Sequence, residues 1–186
     1  MQADPVSWAG LSDAVCDRHL DALKEALATR LTAPDLAAAL APILGRGAEL
    51  SVALESGAPE ATDLATGRLA GLGVGSTPAG DDYLIGVFYA LRASGQSETA
   101  RRLAAIAAER TTTRSGGWLL AAADGAASPA WSRLLEVLSG SDDARLSEAT
   151  VAVLDCGFSS GTASLCGLVD GFNALRGRGA ASAVRA

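Results

Sequence analysis

Residues 71–86 read GLGVGSTPAGDDYLIG, a run of small residues that passes directly into an apolar segment. Apolar side chains then recur at steps of three and four residues as far as Leu91, which is the spacing of one helix face. This pattern predicts a loop that ends at Thr77 and a helix that extends to about Ala93. Thr77 is a favourable N-cap residue, and Pro78 suits the first position of the helix.

The rest of the chain has the composition of a helical protein. Its 186 residues include 40 alanines and 26 leucines but only three isoleucines and ten valines, and alanine and leucine are the stronger helix formers. No alternating apolar stretch indicates a strand. We predict an all-α fold of eight or nine helices, with a single compact domain over residues 1–176 and a flexible tail over residues 177–186. The predicted helices include residues 12–31 and 35–44, the second of which we expect Gly45 and Gly47 to terminate, and the last one ends near Leu175.

A second stretch repeats part of the first. The spacing G-x-x-x-L-x-G begins at Gly80 and again at Gly161, and both copies follow a small-residue loop and open a predicted helix. Glycines let two backbones approach closely, so the repeat favours two equivalent helices that pack together through their glycines. Because the chain contains 21 glycines, a chance match between two unrelated helix starts is the alternative.

Charge and composition narrow the classes of function. The formal net charge is −6 and the 15 basic residues form no stripe, so nucleic acid is not an expected partner. The chain has three cysteines and no C-x-x-C pair, which disfavours a disulfide framework and a zinc site. Its single histidine, His19, is expected at a helix surface or boundary, and this disfavours a Ser-His-Asp triad. We expect a cytoplasmic protein without a signal peptide or membrane span, because there is no leader pattern and no uncharged apolar run of 18 residues.

The glycine loop, residues 71–78, and the helix start after it suit a small anion. Glycine lets a ligand approach the main chain, and the free N–H groups of a first helical turn attract carboxylate or phosphate. The loop has neither the lysine of a Walker A motif nor the glycine spacing of a dinucleotide fingerprint, so nucleotide binding in those modes is disfavoured. The predicted ligand-binding residues here are Gly73, Gly75, Ser76, Thr77, Pro78 and Gly80.

Asp81 and Asp82 have two interpretations that the sequence leaves open. Acidic residues in a first turn stabilise a helix through its dipole, by up to about 1 kcal/mol. In the other interpretation at least one of the two carboxylates is catalytic, and it orients a substrate N–H group, transfers a proton or holds Mg²⁺. Two carboxylates repel a nearby anion, so a ligand with both donors and acceptors fits better than phosphate alone. Beyond this Mg²⁺ option we predict no cofactor and no metal-ligand set.

Two further loops begin helices with hydroxyl side chains. Each also fits plain helix capping by serine or threonine. We predict that these two loops and the glycine loop converge at one end of the bundle, where they form a polar pocket. The predicted ligand-binding residues in the two loops are Thr111, Thr112, Ser115, Ser159, Ser160 and Gly161.

These motifs resemble those of one bacterial family. Residues 71–86 are similar to the signature G-L-G-x-G-x-T-P-S-G-D-D-x-L-x-G of the family that includes the AllH-type subunit of oxamate carbamoyltransferase. The segments that begin at Thr111 and Gly157 resemble its T-T-x-x-S and G-H-S-S-G-x-D-x-L-x-G blocks. The resemblance covers about residues 65–176.

Three positions depart from that pattern, because Ala79 replaces a serine, Phe158 a histidine and Ala163 an aspartate. Longer members of the family also carry a β-rich N-terminal half, which we expect this chain to lack. The resemblance therefore implies the fold and the ligand site more strongly than it implies catalysis.

The resemblance implies a subunit linked to carbamoyl transfer between an oxamate- or oxalurate-type substrate and phosphate, in allantoin and purine catabolism. Such a subunit needs partner chains, since this sequence offers no nucleophile with an adjacent base. The glycine loop would hold a carboxylate or phosphate, and Asp81 or Asp82 would take amide or ureido N–H groups. A non-enzymatic binding or scaffold subunit is the alternative, and a metal-assisted hydrolase that uses both aspartates is a third interpretation.

Overall fold

The computed structural model describes residue 8, residues 10–140 and residues 142–184, with side chains as far as residue 179. The described residues form ten helices and no strand, which confirms the all-α fold with slightly more helices than predicted. The helices are α1 (Leu11–Ala14), α2 (Asp17–Arg30), α3 (Pro34–Ser56), α4 (Pro59–Leu69), α5 (Ala79–Ala93), α6 (Ser97–Ala108), α7 (Thr113–Ala123), α8 (Pro129–Leu138), α9 (Asp143–Leu154) and α10 (Ser160–Val184).

Helix α5 runs through the centre of the bundle. Thirteen of its 15 residues are buried, and it contacts α3, α4, α6, α7 and α10. A helix that is apolar around most of its circumference must be enclosed in this way. The ring of Tyr83 packs against Gly47 of α3, and its hydroxyl donates to Asp170 Oδ2 of α10 at 2.7 Å. These contacts hold α5 firmly, so side chains at its start project from a rigid base.

Helices α5 and α10 pack through glycines, as the repeated motif predicts. A Cβ atom at Gly86 would lie 1.8 Å from the carbonyl oxygen of Ser164. In the reverse direction, a Cβ at Gly167 would lie 2.0 Å from the carbonyl oxygen of Tyr83. The contact is reciprocal, because Tyr83 and Ser164 each stand three residues after the first glycine of their own copy. The prediction of equivalent, glycine-packed helices is confirmed, and an approximate two-fold axis relates the two copies.

The N-terminal helix differs from its prediction. The single helix expected over residues 12–31 is interrupted at Cys16, which has an extended backbone and begins α2 as its N-cap. The N–H of Cys16 donates to Nδ1 of His19 at 3.4 Å, and the Cys16 side chain accepts from the N–H of His19. This reciprocal cap starts a second helix and draws the His19 side chain inward, so His19 is buried rather than at the surface.

Two predicted helix ends are also wrong. Gly45 and Gly47 do not terminate α3, which continues to Ser56; Gly47 instead makes room for the Tyr83 ring, 2.5 Å from where its Cβ would lie. Helix α10 does not end near Leu175 but extends to Val184. A single helical glycine costs only about 1 kcal/mol relative to alanine, so neighbouring alanines and tertiary packing can carry a helix through it.

Helix α3 is long and apolar enough to cross a membrane by length and composition alone, and it is the one such helix among the described residues. Its sequence includes Arg46 and Glu49 near the middle, which pair with each other at 2.7 Å. Leu40, Ile43 and Leu50 are buried against the rest of the bundle.

Candidate functional site

The glycine loop folds back on the start of α5. Gly71, Gly73 and Gly75 have positive φ angles of 72°, 121° and 92°, in the region that residues with a side chain rarely adopt. The carbonyl of Leu72 accepts the N–H of Gly80 at 2.8 Å, which closes the loop onto the first turn of the helix. The glycines therefore serve a tight backbone reversal at this point.

The first backbone N–H groups of α5 already have acceptors within the fold. The N–H of Gly80 donates to the carbonyl of Leu72, and the N–H groups of Asp81 and Asp82 donate to the carbonyl of Pro78 at 2.9 and 3.2 Å. Pro78 is the N-cap, without a side-chain cap, so the prediction that Thr77 caps this helix is wrong: backbone groups of the loop take that role. Anion binding by these N–H groups gains no support from this arrangement and stays a prediction.

Asp81 is 0% exposed, and both of its carboxylate oxygens accept hydrogen bonds within the fold. The N–H of Gly71 donates to Oδ1 at 2.8 Å, and the hydroxyl of Thr111 donates to Oδ2. This carboxylate thus joins the glycine loop, α5 and the segment before α7. The geometry favours a structural role for Asp81.

Thr112 brings the second predicted loop to the first. Its hydroxyl accepts the N–H of Ser115 at 3.1 Å, which caps α7, and donates to the carbonyl of Ser76 at 2.8 Å. Together with the Thr111–Asp81 hydrogen bond, this contact places the start of α7 beside the glycine loop. The predicted convergence of these two regions is confirmed.

Asp82 has a different environment from Asp81. It is 6% exposed, and its Oδ2 atom has no hydrogen-bond partner among the described residues. Burial raises the pKa of Asp82 from 3.8 to about 6; the nearby Ser160 hydroxyl lowers the pKa in part, and the charge of Asp81 raises it further. A buried carboxylate oxygen without a partner is costly to fold, so the free Oδ2 atom marks this position as a candidate binding group.

Asp82 lines a cavity of about 360 Å³ between α5, α7, α8 and α10. Ser160 and Ser164, at the start of α10, supply other polar groups of its lining. The remaining wall is mainly apolar. It includes Ile85, Tyr89, Trp118 and Trp131, together with small alanines of α7 and of the segment that follows it.

Three of the predicted site residues line the cavity, namely Asp82, Ser160 and Gly161. The start of α10 therefore lies beside the start of α5 at this cavity, while the start of α7 lies beside the glycine loop. The predicted residues that do not line this cavity are Asp81, Gly73, Gly75, Ser76, Thr77, Pro78, Gly80, Thr111, Thr112, Ser115 and Ser159.

Sequence reasoning missed the aromatic wall. Tyr89, Trp118 and Trp131 belong to three different helices, so no short spacing connects them. The ring centroids of Tyr89 and Trp131 are 5.0 Å apart, with the two ring planes tilted by 56°, and the Tyr89 hydroxyl donates to the carbonyl of Ala126 at 3.0 Å. Trp118 is 52% exposed, and a tryptophan in an alanine-rich helix was the one available signal.

The approximate two-fold axis gives this site a counterpart. In the register of the two copies, Ala163 corresponds to Asp82 and Ala79 corresponds to Ser160. Both counterpart residues are buried and apolar. The carboxylate and serine are therefore present on one side of the axis only, and two of the three departures from the family signature fall on the other side.

The electrostatics of the cavity disfavour a bare anion. Its lining includes no lysine, arginine or histidine among the described residues, while Asp82 is acidic. The part of the chain that the structure describes also contains no group of three or more His, Cys, Asp or Glu side chains able to hold a metal ion. The Mg²⁺ option thus gains no support and stays a prediction, and the free carboxylate oxygen can accept a hydrogen bond from an uncharged N–H or O–H donor.

Comparison with known proteins identifies the family. The family model described as "Oxamate carbamoyltransferase subunit AllH" matches residues 69–172, more than half of the chain. The match includes the glycine loop, both aspartates and the three helix starts described above. The comparisons with curated proteins and with solved structures gave no match. The chain therefore belongs to the AllH family, the family of the oxamate carbamoyltransferase subunit AllH.

Proposed function

We propose that this chain is a carbamoyl-binding subunit of an oxamate carbamoyltransferase that works in allantoin and purine catabolism. Family membership supports the reaction, and the free Oδ2 of Asp82 in the cavity carries the assignment of the binding group. A carbamoyl group ends in –NH₂, whose two N–H donors suit a buried carboxylate that has an unused oxygen.

The reaction moves a carbamoyl group between nitrogen and phosphate oxygen. In the direction from oxalurate, the bond between the carbamoyl carbon and the oxamate nitrogen breaks and a bond from that carbon to a phosphate oxygen forms. The oxamate nitrogen gains the proton that the attacking phosphate hydroxyl loses, so the reaction balances. Asp82 positions the carbamoyl –NH₂, and because its pKa is about 6 it can also exchange a proton near neutral pH.

Partner chains supply the positive charge that this cavity lacks. Oxamate, oxalurate and phosphate are all anions, and no basic side chain lines the cavity in the described part of the chain. Stabilising their charge in the transition state requires cationic or N–H donors close to the reacting atoms. Arg114 at the start of α7 is exposed, and the exposed segment Gly73–Ser76 lies on the same side as α7. Carboxylate or phosphate binding by the glycine loop is part of this proposal.

The test is carbamoyl transfer by the complex formed when the chain is co-expressed with the products of its neighbouring genes. We expect Asp82→Asn to lower kcat/KM. The fall should correspond to a loss of about 2–5 kcal/mol of transition-state stabilisation, the cost of removing one side of a buried charged contact. Asp21→Asn, an exposed change on α2, is the matched control and should leave kcat/KM unchanged. An assembled complex whose transfer rate is the same with Asp82→Asn contradicts the assignment of Asp82. An assembled complex without transfer activity favours the non-enzymatic binding subunit.

A further inference from the structure

The cavity is larger and more apolar than a carbamoyl group requires. Its volume of about 360 Å³ is in the range of pockets that hold drug-sized ligands, about 300–1,000 Å³. Oxamate has only a few non-hydrogen atoms, nearly all of them polar, so it leaves most of this wall uncovered. The alanines of α7 and of the segment after it also line the cavity, and their small side chains leave its space unfilled.

The polar end of the cavity selects the head group of a ligand. Asp82 is nine-tenths buried with a free oxygen, and the hydroxyl of Ser164 is already bonded to the carbonyls of Ser160 and Gly161 at 2.8 and 3.1 Å. The free Oδ2 atom of Asp82 therefore lacks a hydrogen-bond donor, which the N–H groups of a carbamoyl-type head can supply. A carboxylate head in the same place would face Asp82 without a compensating cation from the described residues.

The aromatic wall selects the part of the ligand beyond its head group, which we call the body of the ligand. Trp131 is buried and braced by Tyr89, while Trp118 is half exposed at the edge of the cavity. Flat apolar groups bury large areas against such rings and gain further from stacking. A ligand that reached only Asp82 would leave Trp118 in water.

We propose that this cavity binds an uncharged ligand with a carbamoyl-type head at Asp82 and a flat apolar body along Tyr89, Trp118 and Trp131. This inference rests on the proposed function for the head group and extends it, because the apolar body makes the preferred ligand larger and less polar than oxamate. Asp82 then determines the head, and the space beside α7 determines the body.

The probe is benzamide, with two matched comparisons. Benzoate keeps the ring but replaces –NH₂ with a charged oxygen, and acetamide keeps the head but removes the ring. In calorimetric titrations of the full chain at pH 7, we expect benzamide to bind at least tenfold more tightly than either comparison ligand. Equal or tighter binding of benzoate, or no benzamide binding at millimolar concentration, overturns the proposal.

Two variant pairs locate the probe. Ala121→Leu places a larger side chain at the edge of the cavity, and Ala105→Leu makes the same change at an exposed position of α6 that does not line it. We expect Ala121→Leu and Asp82→Asn each to weaken benzamide binding at least tenfold. Ala105→Leu and Asp21→Asn should not weaken it. Unchanged binding in Ala121→Leu overturns the proposed position of the ring.

The outcomes separate this inference from the proposed function. Benzamide binding that depends on Asp82 and Ala121, in a protein whose assembled complex shows no carbamoyl transfer, supports the inference while the proposed function fails. Asp82-dependent transfer without benzamide binding retains the proposed function and overturns the inference. If Ala121→Leu prevents assembly of the complex and the wild-type chain binds no benzamide, the inference is also overturned, because a partner's side chain then occupies the cavity.

Discussion

Asp82→Asn removes a buried carboxylate whose ionisation opposes folding. In an unfolded chain the carboxyl titrates near 3.8, and in the fold burial raises its pKa to about 6. The folded state therefore holds this proton more tightly than the unfolded state. Asp82 does not reduce stability below pH 4, and its cost develops as the pH rises from about 4 to 6 and is complete at pH 7.

The size of the effect follows from the shift. A change of one pKa unit corresponds to about 1.4 kcal/mol, so a rise of roughly two units lowers the free energy of unfolding at pH 7 by about 3 kcal/mol. Asparagine has nearly the same shape but cannot ionise. We expect Asp82→Asn to be up to about 3 kcal/mol more stable than wild type at pH 7 and equally stable near pH 4.

Urea unfolding of both proteins at several pH values between 4 and 8 measures this difference. Asp170 is half-buried, and desolvation raises its pKa, but this residue is present in both proteins and its effect cancels in the comparison. A stability difference that does not change with pH, or an Asp82→Asn protein less stable than wild type at pH 7, contradicts a destabilising ionised carboxylate at Asp82. A carboxylate retained against such a cost is typical of a functional group.

Three further predictions test the scaffold. Asp81→Asn should lower the free energy of unfolding by about 1.5–3 kcal/mol in urea titrations, because an asparagine amide cannot accept from both of Asp81's donors; a variant as stable as wild type contradicts its structural role. Gly86→Ala should destabilise the protein by more than about 3 kcal/mol, since its Cβ would lie 1.8 Å from a carbonyl oxygen of α10. Gly45→Ala, with open space around it, should stabilise the protein by about 0.5–1 kcal/mol. Thermal melts that give the two variants equal stability contradict the packing of α5 on α10. Tyr83→Phe should cost about 1–3 kcal/mol and raise the pKa of Asp170, measured by carbon-13 NMR, because the hydroxyl bonded to that carboxylate is lost; an unmoved pKa rules out the hydrogen bond.

Local chemistry made much of the fold predictable. The apolar spacing after Asp82 located α5, and the repeated glycine spacing located its partner α10. Thr112 was recognisable as a cap from the hydroxyl at a helix start. Glycine as a helix terminator failed at Gly45 and Gly47, because whether a glycine ends a helix depends on what packs against it, and Tyr83 lies 36 residues further along the chain.

The candidate site was predictable only in part. Adjacent aspartates point about 100° apart on a helix, so Asp81 and Asp82 reach different neighbours, but the sequence does not reveal which neighbour is a hydroxyl and which is a cavity. The aromatic wall joins three helices through tertiary packing alone. Ser160 was identifiable as a polar helix start, whereas its position beside Asp82 depends on the two-fold relation between α5 and α10.

The carbon-13 titration of the Asp82 carboxyl with and without saturating benzamide tests most directly whether this carboxylate receives a carbamoyl group. Hydrogen bonds from N–H donors favour the charged form, so we predict that benzamide moves the Asp82 midpoint from about 6 to a lower pH while that of Asp170 stays in place. An Asp82 midpoint that stays near 6 in the saturated protein contradicts binding of a carbamoyl group at this carboxylate.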